Sequence, residues 1–205
     1  MTCVSEHLPI EDHHGRLSMW CAYGGLTSVA IVMNSAVFFS EANVLKVYCS
    51  PVAYWDDDRF EQEMATLAGN IEQNVDTLRS LGEDGLRGSI FNVFKFGVLC
   101  SKHPGFEEEL EWRLVYSPTM LASPTIIRDV VVHEGTPQTI YKVPLKDIPD
   151  QGFVGAEIPQ LIDRIIIGPT RFPTLAAEAI AAELTAAGVA DAEQRVFISG
   201  IPLRR

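Results

Sequence analysis

The sequence predicts an α+β fold with a mixed, mainly antiparallel sheet and helices packed between and around its strands. Short runs of β-branched and aromatic residues recur along the chain, and segments of helical periodicity cluster between them. Strands and helices do not alternate regularly, as a doubly wound sheet would require. The length of 205 residues is typical of one domain, so we expect a single domain over residues 1–205.

In the first half of the chain, apolar spacing separates strands from helices. We predict strands at 2–6, 26–33 and 44–55, the second of them buried, and helices at 15–23, 56–80 and 89–99. Asp56 precedes the long helix and is a typical N-cap residue. Three glycines then predict a loop (Gly82, Gly85 and Gly88), and the strongly apolar run after them predicts a buried helix.

In the second half, alternation and turn residues define the strands. We predict a strand within 102–118 and two strands at 125–133 and 139–143 that form a hairpin or meander around Gly135, followed by an irregular stretch or short helical turn at 152–161. A β-branched strand at 162–167 precedes an Ala-rich helix at 174–187. Thr174 is its predicted cap and Gly188 its predicted end, and a last strand follows at 196–199.

Composition limits the classes of partner. The net charge of -11 argues against non-specific binding to nucleic acid or to an anionic membrane surface. No apolar run approaches the roughly 20 residues that span a bilayer, and no secretory segment opens the chain. The four cysteines are far apart and form no Cys-x-x-Cys pair, which favours reduced thiols. We therefore expect a cytoplasmic protein.

The alternating run that begins at Glu109 carries the main candidate site. On a strand, Glu109, Glu111 and Arg113 would share one face, with roughly 6.6–6.8 Å between successive members. Such a row is commonly a solvated set of ion pairs. It is also the pattern of a functional carboxylate pair, in which like charge raises one pKa and the arginine keeps the other acid ionised. Such pairs serve reactions through an oxocarbenium ion.

Other motifs give fewer clues. Trp20 and Tyr23, before Gly24-Gly25, predict either core aromatics or a stacking wall for a planar ligand. The early histidines and cysteines match no zinc spacing, so we predict no metal site. The chain has no nucleophile elbow, phosphate loop or dinucleotide fingerprint.

Three segments resemble a bacterial family known only as a domain of unknown function, number twenty-nine seventy-one. They are the Cys-Val-Ser-Glu strand of Ser5 with the following Met-Trp-Cys-Ala-Tyr-Gly, the stretch from Lys102 through Glu-Leu-Glu-Trp-Arg, and the late Ile-Ile-Ile-Gly-Pro. The resemblance implies no established activity. Its members usually begin with a further segment bearing a Tyr-rich strand and a helix, which we expect this chain to lack.

The Glu-x-Glu motif at the start of a strand is also similar to the acidic motif of ADP-ribosyltransferases. That resemblance implies that Glu111 stabilises a ribosyl cation and Glu109 orients the acceptor, with Trp20 or Tyr23 beside the nicotinamide. Lys102, Arg113 and Ser5 complete the predicted ligand-binding set. The Ser-Thr-Ser stretch of those enzymes has no clear counterpart here.

Two functional hypotheses from different classes follow. The first is a nucleotide-binding domain, with NAD as its substrate rather than as a bound cofactor, acting at an N-glycosidic bond through the Glu-x-Glu strand. The alternative is a non-catalytic protein-interaction module, completed by a partner or by self-association as a homo-oligomer. The sequence leaves open whether the protein is an enzyme.

Overall fold

The structure, a computed structural model, describes residues 1–202 and has an α+β fold, as predicted. Its strands are β1 (Thr2–Ser5), β2 (Val29–Met33), β3 (Val47–Pro51), β4 (Ala53–Tyr54), β5 (Ser101–Lys102), β6 (Glu111–Tyr116), β7 (Ile127–His133), β8 (Thr136–Lys142), β9 (Ile162–Ile167) and β10 (Val196–Ile198). Its α-helices are α1 (Leu17–Tyr23), α2 (Asp57–Gln73), α3 (Val75–Ser80), α4 (Gly82–Leu99), α5 (Ile158–Leu161) and α6 (Pro173–Ala186). No helix within residues 1–202 is long and apolar enough to cross a membrane.

The described chain divides into two compact units. The first consists of Met1–Glu6 and Ser50–Leu114, and the second of His7–Cys49 with the described residues from Val115 onward. The chain passes between the units after Glu6, within β3 and within β6. That both units fold as one domain stays a prediction.

In the first unit, β1 and β6 pair antiparallel and β4 pairs with β5 in parallel. Asp56 caps α2 as predicted, because its carboxylate accepts the Arg59 backbone N–H at 2.9 Å. The predicted glycine loop is wrong. Gly82, Gly85 and Gly88 all lie in the first two turns of α4, which therefore begins seven residues earlier than expected.

The helices α2 to α4 contain no buried residue, although the structure describes every residue in them. The prediction that the helix at 89–99 is buried is therefore wrong. Its large apolar side chains include Ile90, Phe91, Phe94 and Val98, and all four are exposed. The periodicity of the sequence predicted the helix correctly, but it does not report whether another element covers the helix.

The predicted strand from Glu109 onward also begins later than expected. Residues Pro104–Glu109 form a 3-10 turn, and β6 begins only at Glu111. Between them, Leu110 adopts a left-handed backbone conformation with φ 45°. The two acids therefore lie on different elements, and the prediction that Glu109, Glu111 and Arg113 share one strand face is wrong for Glu109.

The second unit contains the best-packed core. β9 pairs antiparallel with β2 and parallel with β10. Its side chains pack with those of α6 and the following segment in a buried cluster of Ile165, Ile167, Leu184, Val189 and Ala192. The predicted strand at 162–167 matches β9 residue for residue. The predicted hairpin is also confirmed, with β7 and β8 joined at Glu134-Gly135.

Two predictions in this unit are corrected. α6 begins at Pro173 with Phe172 at the N-cap position, so Thr174 lies inside the helix and is not its cap. Proline at the first helical position needs no backbone donor, which explains the earlier start. The predicted buried strand at 26–33 is shorter, and Val29 and Ile31 of β2 are exposed. Gly188 has a positive φ of 83° directly after the helix, as predicted for its end.

Candidate functional site

The first unit brings four of the predicted site residues into one ionic cluster. The Lys102 ammonium lies 2.5 Å from a carboxylate oxygen of Glu109 and 3.1 Å from one of Glu111. The Arg113 guanidinium contacts the same Glu111 carboxylate at 2.8 and 3.3 Å. One lysine thus joins two acids that the backbone places on different elements.

Glu111 is the most buried member of this cluster, with 6% of its surface exposed. Hydrogen bonds from Arg113 outweigh the effect of burial, and those of Cys3 and Lys102 add to them, so the pKa of Glu111 falls from 4.5 to about 2. Its carboxylate is therefore ionised at neutral pH. It can stabilise positive charge but cannot donate a proton under those conditions.

The backbone of Glu111 is also held on both sides. Its N–H donates to the Tyr54 hydroxyl at 2.8 Å, and its carbonyl accepts the Val52 N–H at 2.9 Å. Across the β1–β6 ladder, Ser5 lies opposite Glu111 and Cys3 lies opposite Arg113. Burial, followed by the hydrogen bond to Glu111, raises the pKa of the Cys3 thiol, so this cysteine is a poor nucleophile.

Lys102 is held from several directions. Burial lowers its pKa, but the hydrogen bonds to Glu109 and Glu111 outweigh that effect, so the pKa of Lys102 is raised overall. Its ammonium also lies 4.5 Å from the centroid of the Phe106 ring, within the range of a cation–π interaction. Lys102 therefore remains charged at neutral pH and fixes the positions of both acids.

Arg113 ties the cluster to the preceding helix. Its Nη1 donates to the Leu99 carbonyl, the last residue of α4, while its other nitrogens contact Glu111. A guanidinium at a helix C-terminus satisfies a carbonyl that has no partner within the helix. The hydrogen bond to Glu111 raises the pKa of Arg113 further. With two cations and two acids, the cluster has no net formal charge.

An open hollow of about 450 Å³ lies in the same unit, and none of the four residues of the ionic cluster lines it. It is lined by Tyr54, Trp55, Asp56, Arg59, Pro104 and Glu107. Tyr54 links the two features directly, since it lines the hollow and accepts the backbone N–H of Glu111. The lining offers two aromatic rings, one guanidinium and two carboxylates, a combination that suits a ligand with both a planar ring and charged groups.

Trp20 and Tyr23 belong to the second unit, and the structure describes different surroundings for each. Trp20 is 5% exposed, and its indole N–H donates to the His14 carbonyl at 2.8 Å. A Cβ atom added at Gly15 or Gly168 would come within 2.6 to 2.8 Å of its ring. Trp20 therefore packs as a core aromatic, whereas Tyr23 is exposed. That either residue contacts a ligand stays a prediction.

Sequence reasoning missed the residues that line the hollow. Tyr54 and Trp55 were included only as the end of a predicted strand, and Arg59 only as part of a helix. The signal that could have found them is a paired aromatic directly before a capped helix N-terminus. Among residues 1–202, no group of three or more His, Cys, Asp or Glu side chains is arranged to hold a metal ion.

Residues 19–114 match the model of a family described as protein of unknown function (DUF2971). The matched region supports the resemblance to a domain-of-unknown-function family, and it includes the ionic cluster, helices α2 to α4 and α1 from Met19 onward. Neither the curated proteins nor the solved structures contain a match to this chain.

Proposed function

We propose that the first unit binds a nucleotide-like small molecule in the hollow that Tyr54 links to Glu111, and that NAD is its substrate. The observation that carries the proposal is a pair of largely buried carboxylates held on one lysine, in the same unit as a hollow large enough for a nucleoside. The side chains of the two acids are 13% and 6% exposed, so neither is a freely solvated surface charge.

The proposed reaction is cleavage of the bond between the ribose and nicotinamide. As that bond breaks, nicotinamide leaves with the electron pair and the ribose becomes an oxocarbenium ion. Glu111 is suited to stabilise this cation because its pKa of about 2 keeps it ionised. Water or an acceptor hydroxyl then attacks the cation, forms the new C–O bond and loses its proton to solvent water, with Glu109 orienting the attacking group.

The hollow supplies groups for the rest of the substrate. Trp55 and Tyr54 offer ring surfaces for stacking, and the Arg59 guanidinium, which pairs with Glu63 at 2.6 Å, has further N–H groups that can bind a phosphate.

Lys102 contacts both acids, and Arg113 contacts Glu111 through two nitrogens. Substrate binding must therefore draw the Lys102 ammonium away from Glu111 to leave a carboxylate oxygen facing the ribosyl cation, with Arg113 still holding the other side of the group. We propose the cytoplasm as the site of action, since none of the cysteines, all of which lie within the described residues, forms a disulfide.

The test is release of nicotinamide from NAD by the purified protein. We expect turnover by the wild type, a loss of about 100-fold or more in Glu111→Gln, and a smaller loss in Glu109→Gln. Glu108→Gln is the matched control, because Glu108 belongs to the same acidic run and is exposed. Circular dichroism checks that each variant is folded. No turnover, or equal rates in wild type and Glu111→Gln, contradicts the enzymatic proposal.

A second candidate function is a protein-interaction module completed by a partner or by self-association. The exposed apolar side chains of α4 favour it, because a large continuous apolar patch often marks a site of protein–protein contact. Light scattering on the purified protein tests this candidate. A strict monomer at high concentration that also binds no other protein contradicts it.

A further inference from the structure

We propose that α4 is the contact between two copies of this chain, which pair antiparallel across a two-fold axis at Phe94. The inference deepens the second candidate function, since it names the partner as a second copy. It does not depend on the ligand site, because none of the contacts argued below involves Lys102, Glu109, Glu111 or Arg113.

The contact surface is a stripe along one side of α4. Ile90, Phe94 and Val98 are spaced four residues apart, so they lie above one another on the helix, and Phe91 lies beside them. Phe94 is 62% exposed and Val98 is 76% exposed. Val93 extends the stripe on its other side and is also exposed. A partner that covered this apolar stripe would therefore stabilise the helix.

The area of the stripe fits a dimer. From the size of aromatic and aliphatic side chains, these five residues expose on the order of 500 Å², near the top of the range for the largest apolar patch on a monomer. A standard interface buries about 800 Å² per partner, of which roughly three-fifths is apolar. The stripe therefore supplies the apolar part of one complete interface.

The order of residues along the stripe is self-complementary. A two-fold axis at Phe94 places Phe94 against Phe94 of the second copy and Ile90 against Val98 of the second copy. The same operation gives the reciprocal contact, as an isologous interface requires. It pairs residues 89–99 of the two helices, so that Leu99 of one copy lies level with Ser89 of the second copy.

Gly97 contributes to the fit. An antiparallel two-fold axis keeps each flank of the stripe on its own side, and Ile90 and Gly97 lie on the same flank of Phe94. The axis therefore places Ile90 over Gly97 of the second copy. A Cβ atom added at Gly97 would have no neighbour within 4 Å, so the space there is open and forms a notch in the stripe. An aliphatic side chain opposite a glycine lets two helices approach closely, and this contact occurs twice in the symmetric pair.

The first experiment is multi-angle light scattering over a range of protein concentrations. We expect a wild-type dimer, and a dissociation constant raised by roughly 100-fold or more in Phe94→Glu, because two carboxylates would meet at the axis. Gly97→Leu fills the notch and weakens the dimer similarly. Phe172→Glu is the matched control, since Phe172 is equally exposed in the second unit, and it stays dimeric.

The second experiment tests the axis itself by oxidative cross-linking. Phe94→Cys meets its own copy and forms a disulfide between residues 94, identified by mass spectrometry of the linked peptides. Ile90→Cys alone does not cross-link through residue 90, but a mixture of Ile90→Cys with Val98→Cys does. A wild-type monomer at all concentrations, a dimer unaffected by Phe94→Glu, or a Phe94→Cys protein without the 94–94 link overturns the proposal.

The two proposals can fail separately. If the monomeric Phe94→Glu variant releases nicotinamide at the wild-type rate, the reaction does not need the dimer. The dimer contact is then judged by light scattering and cross-linking alone. If no variant releases nicotinamide but light scattering shows the expected dimer, only the enzymatic proposal is contradicted.

Discussion

The strand β9 and the helix α4 have similarly apolar sequences but very different surroundings. In β9, Ile165, Ile166 and Ile167 are all buried, and side chains of α6 cover the strand. In α4, Ile90, Phe94 and their apolar neighbours are exposed. Apolar composition therefore identifies which residues need to be buried, whereas the element that covers them determines where burial takes place.

The first unit is held by a different kind of contact. Its most constrained point is the ionic cluster of Lys102, Glu109, Glu111 and Arg113, which joins β5, the 3-10 turn, β6 and the end of α4. The second unit depends on an apolar cluster around Ile167 and Leu184. The two units should therefore respond differently to cavities, to acid and to added side-chain volume.

The largest expected effect is a cavity in the second unit. Ile167→Ala should lower the free energy of unfolding by about 2–5 kcal/mol, because Ile167 is fully buried and its neighbours can relax only in part. Ile71→Ala on α2 is the matched control, since the same atoms are removed from an exposed side chain. It should change the free energy of unfolding by less than about 1 kcal/mol. Urea denaturation measures both. Equal losses would remove the contrast between the regions.

The next effect is acid sensitivity of the first unit. The folded pKa of Glu111 is about 2, against 4.5 when unperturbed, so the unfolded chain takes up a proton first as the pH falls. The stabilisation from Glu111 is complete above pH 4.5 and is lost progressively as the pH falls toward 2.

The stabilisation from Glu111 is roughly 3–3.5 kcal/mol, from the difference between the two pKa values. Urea denaturation at pH 7 and at successively lower pH should record this loss in the wild type. Glu111→Gln should be less stable at pH 7 and should lose less on acidification. If the variant and the wild type lose the same amount between pH 4.5 and pH 2, Glu111 is not the group responsible.

A smaller loss is expected where the backbone of the second unit approaches Trp20. In Gly168→Ala the new Cβ atom would lie 2.6 Å from the Ser28 hydroxyl and 2.8 Å from the Trp20 ring, so one of them must move. Overpacking of this kind costs about 1–3 kcal/mol. Thermal unfolding followed by tryptophan fluorescence would record the loss. An unchanged melting temperature would mean that Trp20 is free to shift.

The smallest effect has the opposite sign and belongs to α4. Gly88 is helical and exposed, and a Cβ atom added there meets nothing within 4 Å. Gly88→Ala should therefore raise the free energy of unfolding by about 0.5–1 kcal/mol, because alanine loses less backbone freedom on entering a helix. Thermal unfolding of Gly88→Ala beside Gly168→Ala compares the two glycines directly. A lower melting temperature in both variants would show that α4 is more closely packed than its exposure indicates.

Sequence patterns predicted the second unit better than the first. The β-branched run of β9, the glycine after α6 and the turn at Gly135 each carry a local signal, and the structure confirms all three. The helical nature of 89–99 was equally local and was predicted, but its burial was not. Burial depends on residues distant in sequence, which periodicity does not report.

The candidate site shows the same limit. The sequence singled out Glu109, Glu111, Arg113 and Lys102, and the structure gathers these four. It did not predict that Lys102 would bridge the acids, nor the hollow formed with Tyr54 and Arg59, because those contacts depend on how strands and turns meet. The reversal at Leu110 also had no local signal, since leucine rarely adopts a left-handed conformation.

Leu110 has a consequence for how the Glu-x-Glu pattern should be interpreted in other sequences. A single residue of opposite backbone hand separates the end of a 3-10 turn from the start of a strand, and this junction lets both flanking acids reach one ammonium. A spacer one residue longer would rotate one acid away from the lysine. The spacing of one residue between the two acids is therefore needed for both of them to contact the lysine. Any chain with the same junction of turn and strand would need this spacing, whether or not it cleaves an N-glycosidic bond.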